Sequence, residues 1–339
     1  MRDSERLVLS VRDLSTEYVA DEGTVRAVDG VSFEVYSGQT LGIVGESGCG
    51  KSVMARSILR ILEPPGRIAR GEVLFWQDIG NGQEREVDLI QLDASGEAMR
   101  SIRGGQISLI FQEPMTSFSP VHTIGDQIAE AIRLHFGANK QEARERVIDL
   151  LQMVGVPRPE GRVDEYPFQL SGGLRQRAMI AMALSCGPRL VIADEPTTAL
   201  DVTTQAQIMD LMRQLQEERG MAMMLITHNM GIIAEMAEDV LVMYLGRQVE
   251  YGPVGAIFHA PKHPYTKALL RSIPSIHSTP RERLPTISGS IPHPYNRPSG
   301  CLFHPRCSSY MPGRCEQQEP PLIPVGSKHL ASCFLYPRV

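Results

Sequence analysis

The stretch GESGCGKS, residues 45–52, decides how the rest of the chain is read. It follows a continuous apolar run, TLGIVG (residues 40–45), of the kind that suits a strand buried on both faces of a sheet. It precedes SVMARSILRIL, which has helical composition and spacing. Strand, glycine loop and helix in that order are the context a phosphate-binding loop requires. Gly45, Gly48 and Gly50 let the backbone turn sharply and approach a phosphate chain, while Glu46, Ser47 and Cys49 complete the loop. At Cys49 the backbone matters more than the thiol. The loop amides and the helix N-terminus favour negative charge. Lys51 is expected to reach the β- and γ-phosphates of a nucleotide, and Ser52 to ligate Mg²⁺.

Outward from this loop the chain alternates. Residues 7–36 read as strands around a loop, residues 77–100 as a polar surface excursion, and QISLIFQ (residues 106–112) as a further strand. Between residues 124 and 154 the apolar positions Ile124, Ile128, Ile132, Ala143, Val147, Leu150, Leu151 and Val154 recur at helical spacing, which predicts a helical insertion at about residues 115–170. Beyond Ser171 a helix (LRQRAMIAMALS) leads to the strand RLVIAD, and a second helix (TQAQIMDLMRQLQEE) leads to the strand MAMMLITH. This βαβα order predicts an α/β core with a mostly parallel sheet. From residue 261 the chain is dense in proline, which lacks an amide donor, so an irregular extension over 261–339 is expected behind a domain of residues 1–260.

Composition narrows the function classes. The 339 residues carry 34 Lys and Arg against 39 Asp and Glu, a net charge of −5, without the basic excess of a general nucleic-acid binder. The apolar segment AMIAMALSC ends at Gly187-Pro188-Arg189, short of the roughly 20 residues of a membrane span. MRDSERLVLS lacks the pattern of a secretory signal, so a cytosolic chain without structural disulfides is expected.

Four more short motifs specify chemistry. RLVIAD runs into Asp194-Glu195, and a buried strand that ends on two acids needs a use for them. Asp194 suits an acid that holds Mg²⁺ through water, and Glu195 a general base for the attacking water. Gln112 and His228 also end strands, and in a parallel sheet ligands bind outside the carboxyl ends of the strands. Gln112 is therefore expected near the metal and the water, and His228 near the γ-phosphate. In LSGGLRQR (residues 170–177) Ser171 can cap a helix whose amides Gly172 and Gly173 leave open to a phosphate. The chain thus has two anion-binding helix starts, and the second suits the nucleotide site of another copy.

Taken together and in this order, these motifs resemble the ATP-binding subunit of ATP-binding cassette (ABC) transporters over residues 7–260: GESGCGKS as Walker A, Gln112 as the Q-loop, LSGG as the signature, LVIADEP as Walker B, ALD (residues 199–201) with Asp201 as the D-loop, and His228 as the H-loop. Leu174 stands where the family often has Gln. The resemblance implies an ATPase that works as a head-to-tail dimer with two ATP molecules between Walker A of one subunit and LSGG of the other. Tyr18 is the candidate to stack on adenine.

HPYTKALLRSIP (residues 263–274), GCLFHPRC (residues 300–307) and FQEPMTSFSP (residues 111–120) resemble the oligopeptide, dipeptide and nickel importer branch, some of whose relatives carry oligosaccharides. That branch implies a homo- or heterodimer of ATPase subunits, two membrane permease subunits, indirectly an extracytoplasmic solute-binding protein, and a peripheral position on the cytoplasmic face of the inner membrane. The tail cysteines Cys301, Cys307, Cys315 and Cys333 are spaced C-x5-C-x7-C-x17-C. Four thiolates suit zinc or an iron–sulfur cluster, and the tight Cys pair usual for zinc is absent. The branch resemblance favours a [4Fe–4S] cluster. The rival readings are a soluble, non-transport ABC ATPase, a redox-sensing regulatory ATPase and an exporter.

Overall fold

The computed structural model describes residues 6–112, 117–198, 200–273 and 287–337. The chain forms two compact units. One comprises Met1–Leu9, Val35–Gln39 and Leu74–Ile226, and the other Ser10–Glu34, Thr40–Val73 and Thr227–Val339.

Two long strands open the chain, β1 (Leu7–Ala20) and β2 (Gly23–Tyr36), followed by β3 (Thr40–Val44), helix α1 (Lys51–Ile58) and β4 (Gly66–Asp78). Strands β2, β1 and β4 are neighbours in that order, and β5 (Glu84–Asp88) is added beside β4, antiparallel, from Leu74 opposite Asp88 to Asp78 opposite Glu84. The polar stretch 77–100 is therefore not a simple surface excursion: it holds β5 and helix α2 (Glu97–Ile102). The reason is local. An edge strand needs only backbone pairing, so its side chains stay polar, while Leu89, Met99 and Ile102 anchor the segment in the core.

In the first unit β6 (Ile107–Ile110), β7 (Leu190–Asp194) and β8 (Ala222–Ile226) pair in parallel, Ile107 with Leu190 and Leu190 with Ala222. All five residues of β7 and of β8 are buried, which explains their apolar sequences up to Asp194 at the end of β7. Helices α3 (Ile124–Phe136) and α4 (Lys140–Met153) pack against each other. They are separate because Gly137 ends α3 in a left-handed C-cap and Asn139 opens α4 with a capping box to Glu142. After the short α5 (Pro159–Arg162) comes α6 (Gly172–Leu184), against which both α3 and α4 pack. Helix α7 (Val202–Arg219) joins β7 to β8.

In the second unit β3 pairs in parallel with β9 (Asp239–Tyr244), which turns through Leu245 and Gly246, both at positive φ, into the antiparallel β10 (Arg247–Pro253). Helix α8 (Met230–Met236) lies against β3, and α9 (Val254–His259) and α10 (Pro264–Arg271) follow β10. Most of the described proline-rich tail is turn and coil, as its composition predicts, but β11 (Ile323–Gly326) and β12 (His329–Ala331) form a hairpin whose β12 pairs with β10, Glu250 opposite Ala331. Pro324 sits on β11, the outermost strand, where a missing donor does no harm. No described helix is long and apolar enough to cross a membrane.

Ile192, at the centre of β7, is fully buried, whereas Leu134 on α3 is 76% exposed. Ile192→Ala is expected to lower stability by about 2–5 kcal/mol, and Leu134→Ala to change it by less than about 0.5 kcal/mol. Urea midpoints of the two variants, compared with the parent chain, check this.

Candidate functional site

The nucleotide-binding candidates fall on both units, and each set has its own geometry. In the second unit β3 ends at Val44 and the loop 45–50 leads into α1, capped by Gly50 in a left-handed conformation (φ 103°) with no side-chain cap. A Cβ at Gly50 would lie 2.0 Å from the carbonyl oxygen of Ala27, so the loop closes only around glycine. Gly48, also at positive φ (77°), has open space where its Cβ would be, so the loop presents bare backbone there. Ser47 and Gly48 are exposed, and Ser52 is half-buried on the first turn of α1. Lys51 is buried, and its Nζ donates to the carbonyls of Gly45 (2.7 Å) and Glu46 (3.2 Å), stretched along the loop. This cradle of glycine backbone, lysine and a helix start fits a nucleotide's phosphates.

Cys49 is more than a spectator. Burial pushes its thiol up from the usual cysteine range, and its Sγ would lie 2.7 Å from a Cβ on Gly45, so the loop interior needs a small residue there. His228, exposed, follows β8 within the second unit, and Asn229 caps α8 through Gly231 and Ile232. Tyr18 is half-buried near the end of β1, its ring edge 2.7 Å from where a Cβ on Gly66 would stand.

In the first unit Asp194 is the buried last residue of β7. Glu195 follows at positive φ (48°), held by its N–H to the Ile226 carbonyl at 2.8 Å. Its Oε2 accepts from Gln112 Nε2 at 3.2 Å and from the Thr198 hydroxyl at 2.9 Å. The structure thus brings Gln112 and Glu195 together, and adds Thr198, which sequence reasoning missed although it lies three residues beyond Glu195. Ser171 caps α6, accepting from Leu174 N–H at 3.4 Å. Gly173 also serves packing: a Cβ there would meet Thr204 Cγ2 at 2.9 Å, so α6 and α7 meet closely at their starts. Asp201 caps α7, accepting from the Thr204 amide (3.0 Å) and hydroxyl (2.6 Å), and the hydroxyl bond holds its carboxyl below the usual range. Ala199 of the ALD motif lies outside the described residues, as do residues 113–116 after Gln112.

The chain matches the family described as ABC transporter over residues 28–198, half of its length. It belongs to the ABC transporter family. A second family, the C-terminal region of oligopeptide/dipeptide transporters, matches residues 249–315. Among curated relatives of this cassette, a dipeptide transport ATP-binding protein of Escherichia coli is 47% identical over 97% of each chain. A putative peptide import ATP-binding protein of Brucella ovis is 48% identical over 99% of each. Among solved structures, a dimeric bacterial ABC transporter cassette is 27% identical with a TM-score of 0.62, covering 73% of this chain and 98% of its own. The same cassette bound to ADP and phosphate after hydrolysis gives 26% and 0.62 over the same shares.

The cassette's tail cysteines lie in one region of the second unit, with the Cys301 N–H donating to the Cys315 carbonyl at 2.7 Å. The [4Fe–4S] expectation finds no support in their placement. Among the described residues no group of three or more His, Cys, Asp or Glu is arranged to hold a metal ion. Burial pushes the Cys301 thiol up to about 11 and raises those of Cys307 and Cys333. Cys186 is a buried thiol packed beside the Ala131 carbonyl.

The HPYT motif proves to be a docking element. Glu250 on β10 is fully buried and accepts from the amides of Lys262 (2.7 Å) and His263 (2.8 Å) and from His329 Nε2 (2.7 Å). His263 in turn caps α10, its Nδ1 accepting from the Tyr265 N–H at 3.1 Å. Tyr265 is fully buried against Tyr244 and Phe303, and its hydroxyl accepts the Glu46 N–H at 2.8 Å. Arg306, in the turn His304–Arg306, reaches the Glu46 carboxylate. Sequence reasoning passed over Tyr265 and Arg306, although both sit in motifs it singled out, HPYT and GCLFHPRC.

His263 is buried, and burial, helped by the Lys267 charge, lowers its pKa from 6.5 to about 3. The folded chain therefore keeps it neutral while the unfolded chain takes up a proton below pH 6.5. Stability is fully present above that pH and falls as pH drops toward 3, by about 1 kcal/mol at pH 5.5. His263→Asn, which keeps a capping acceptor and does not titrate, is expected to flatten the fall of melting temperature between pH 7 and 5.5.

Proposed function

We propose that this chain is the ATP-hydrolysing, energy-coupling subunit of an importer for peptides, dipeptides foremost. The observation that carries the reading is full-length similarity to peptide-import ATP-binding proteins at 47–48% identity. The tail's match to the oligopeptide/dipeptide C-terminal region supports the same branch. Oligosaccharide or nickel cargo is the second reading within that branch. In the proposed division of the chain, residues 1–260 form the cassette, about 115–170 its helical subdomain, and 261–339 a tail.

In this reading the loop 45–52 binds the phosphates through its amides and Lys51, and Tyr18 stacks on adenine. Ser52, Gln112 and Asp194 are the candidates to hold Mg²⁺, which would neutralise phosphate charge. Glu195 is the general base. Its positive φ and its bonds from Gln112 and Thr198 hold the carboxylate in one orientation, which favours accepting a proton from a positioned water. His228 contacts the γ-phosphate. Ser171, Gly172, Gly173 and Asp201 complete the site of a second ATPase copy, since the solved cassette that this chain resembles is dimeric. Two membrane permeases and, indirectly, an extracytoplasmic binding protein are the further partners, and the chain sits peripherally on the cytoplasmic face of the membrane.

Glu195→Gln is expected to lower ATP turnover by about 10²-fold or more while ATP-dependent dimerisation, followed by light scattering, persists. Undiminished turnover removes Glu195 from its role. A [4Fe–4S] cluster in the tail is a finer reading that rests on the four-cysteine pattern. Anaerobic purification with metal analysis tests it: equal iron and sulfide support it, whereas zinc or free thiols end it.

A further inference from the structure

Glu46 places a carboxylate inside a loop built to bind a polyanion, and unneutralised it would repel the phosphates at close range. The structure surrounds it from the tail. Arg306 makes a two-pronged ion pair with it, Nη1 to Oε2 at 2.7 Å and Nη2 to Oε1 at 2.9 Å. This geometry belongs to arginine, whose planar fork matches a carboxylate. The guanidinium is itself fixed: Nε donates to the Ser288 carbonyl at 3.0 Å, Nη1 also reaches the Tyr244 hydroxyl at 3.3 Å, and the Arg306 side chain is only 4% exposed. The Glu46 main chain is held as well, its N–H by the Tyr265 hydroxyl and its carbonyl by Lys51. Tail residues therefore secure both the charge and the amide of one loop residue.

We propose that Arg306 is a positioning residue for nucleotide binding: it neutralises Glu46 and turns its carboxylate away from the phosphates, so that ATP affinity depends on the docked tail. The proposal deepens the ATPase reading and rests on it. A simple tail anchor would act on stability. A charge-neutralising residue acts on nucleotide affinity, and its loss is repaired by removing the charge it neutralises.

The test is MgATP binding by calorimetry on the full chain, with the nucleotide analogue adenosine 5′-(β,γ-imido)triphosphate as a non-hydrolysed probe. The parent chain is expected to bind both; if it binds neither, the ATPase reading fails before this inference is reached. Arg306→Ala is expected to raise Kd about tenfold, and Arg306→Lys, which keeps the charge without the fork, to raise it less. Glu46→Gln combined with Arg306→Ala is expected to return Kd to within about threefold of the parent. Glu46→Gln alone removes the acid while Arg306 keeps its positive charge beside the loop, and is expected to bind nucleotide about threefold more tightly than the parent. That variant decides the matter if Arg306→Ala does not fold: binding weakened tenfold by Glu46→Gln would overturn the proposal. So would an unchanged Kd in Arg306→Ala, or a double variant as weak as the single.

Discussion

The fully buried carboxylate of Glu250 is the constraint on which the tail depends. An unpaired ionised carboxylate at such a site is untenable, so it needs donors in place. The chain supplies two amides, of Lys262 and His263, and the ring of His329. These come from two separate parts of the tail, the segment before α10 and strand β12. One acid therefore ties both back to β10. The pairing of β12 with β10, Glu250 opposite Ala331, reinforces the same junction through the backbone.

From that junction a short series of bonds runs to the phosphate loop. His263 gives its N–H to Glu250 and takes the Tyr265 N–H on its ring, which orients the first turn of α10. That orientation aims the Tyr265 hydroxyl at the amide of Glu46. Tyr244, Tyr265 and Phe303 pack around it with ring centres 4.8–5.3 Å apart, excluding water from the bonds they surround. Each link is ordinary. Their arrangement in series is what makes a distant segment part of the loop's support.

How far this was readable beforehand depends on the range of the interaction. The strands TLGIV, LVIAD and AMMLI are buried throughout, and their sequence said so because burial on two faces leaves polar residues only at the ends, Thr40 and Asp194. The turn at Gly50 was readable because only glycine tolerates both its φ and the nearby Ala27 carbonyl. The break between α3 and α4 was marked by Gly137 and Asn139, but periodicity alone ran across it. β5 was hidden because an edge strand pairs through its backbone and keeps polar side chains. The meeting of Gln112 with Glu195 is a contact 83 residues apart, suggested only by the rule that strand ends share an edge. Nothing local marks Arg306 as a partner of Glu46, since charge pairing at long sequence separation leaves no period and no spacing.

The separation between Glu46 and Arg306, 260 positions, also has a meaning in time. A ribosome adding about 5–20 residues per second completes the phosphate loop roughly 13–50 s before it reaches the arginine that pairs with it. During that interval the nascent loop carries a bare acid. The cassette is thus assembled in an order that delays its maturation until that arginine has been made, and a chain released earlier, with every nucleotide motif present, would lack the ion pair that completes the first of them.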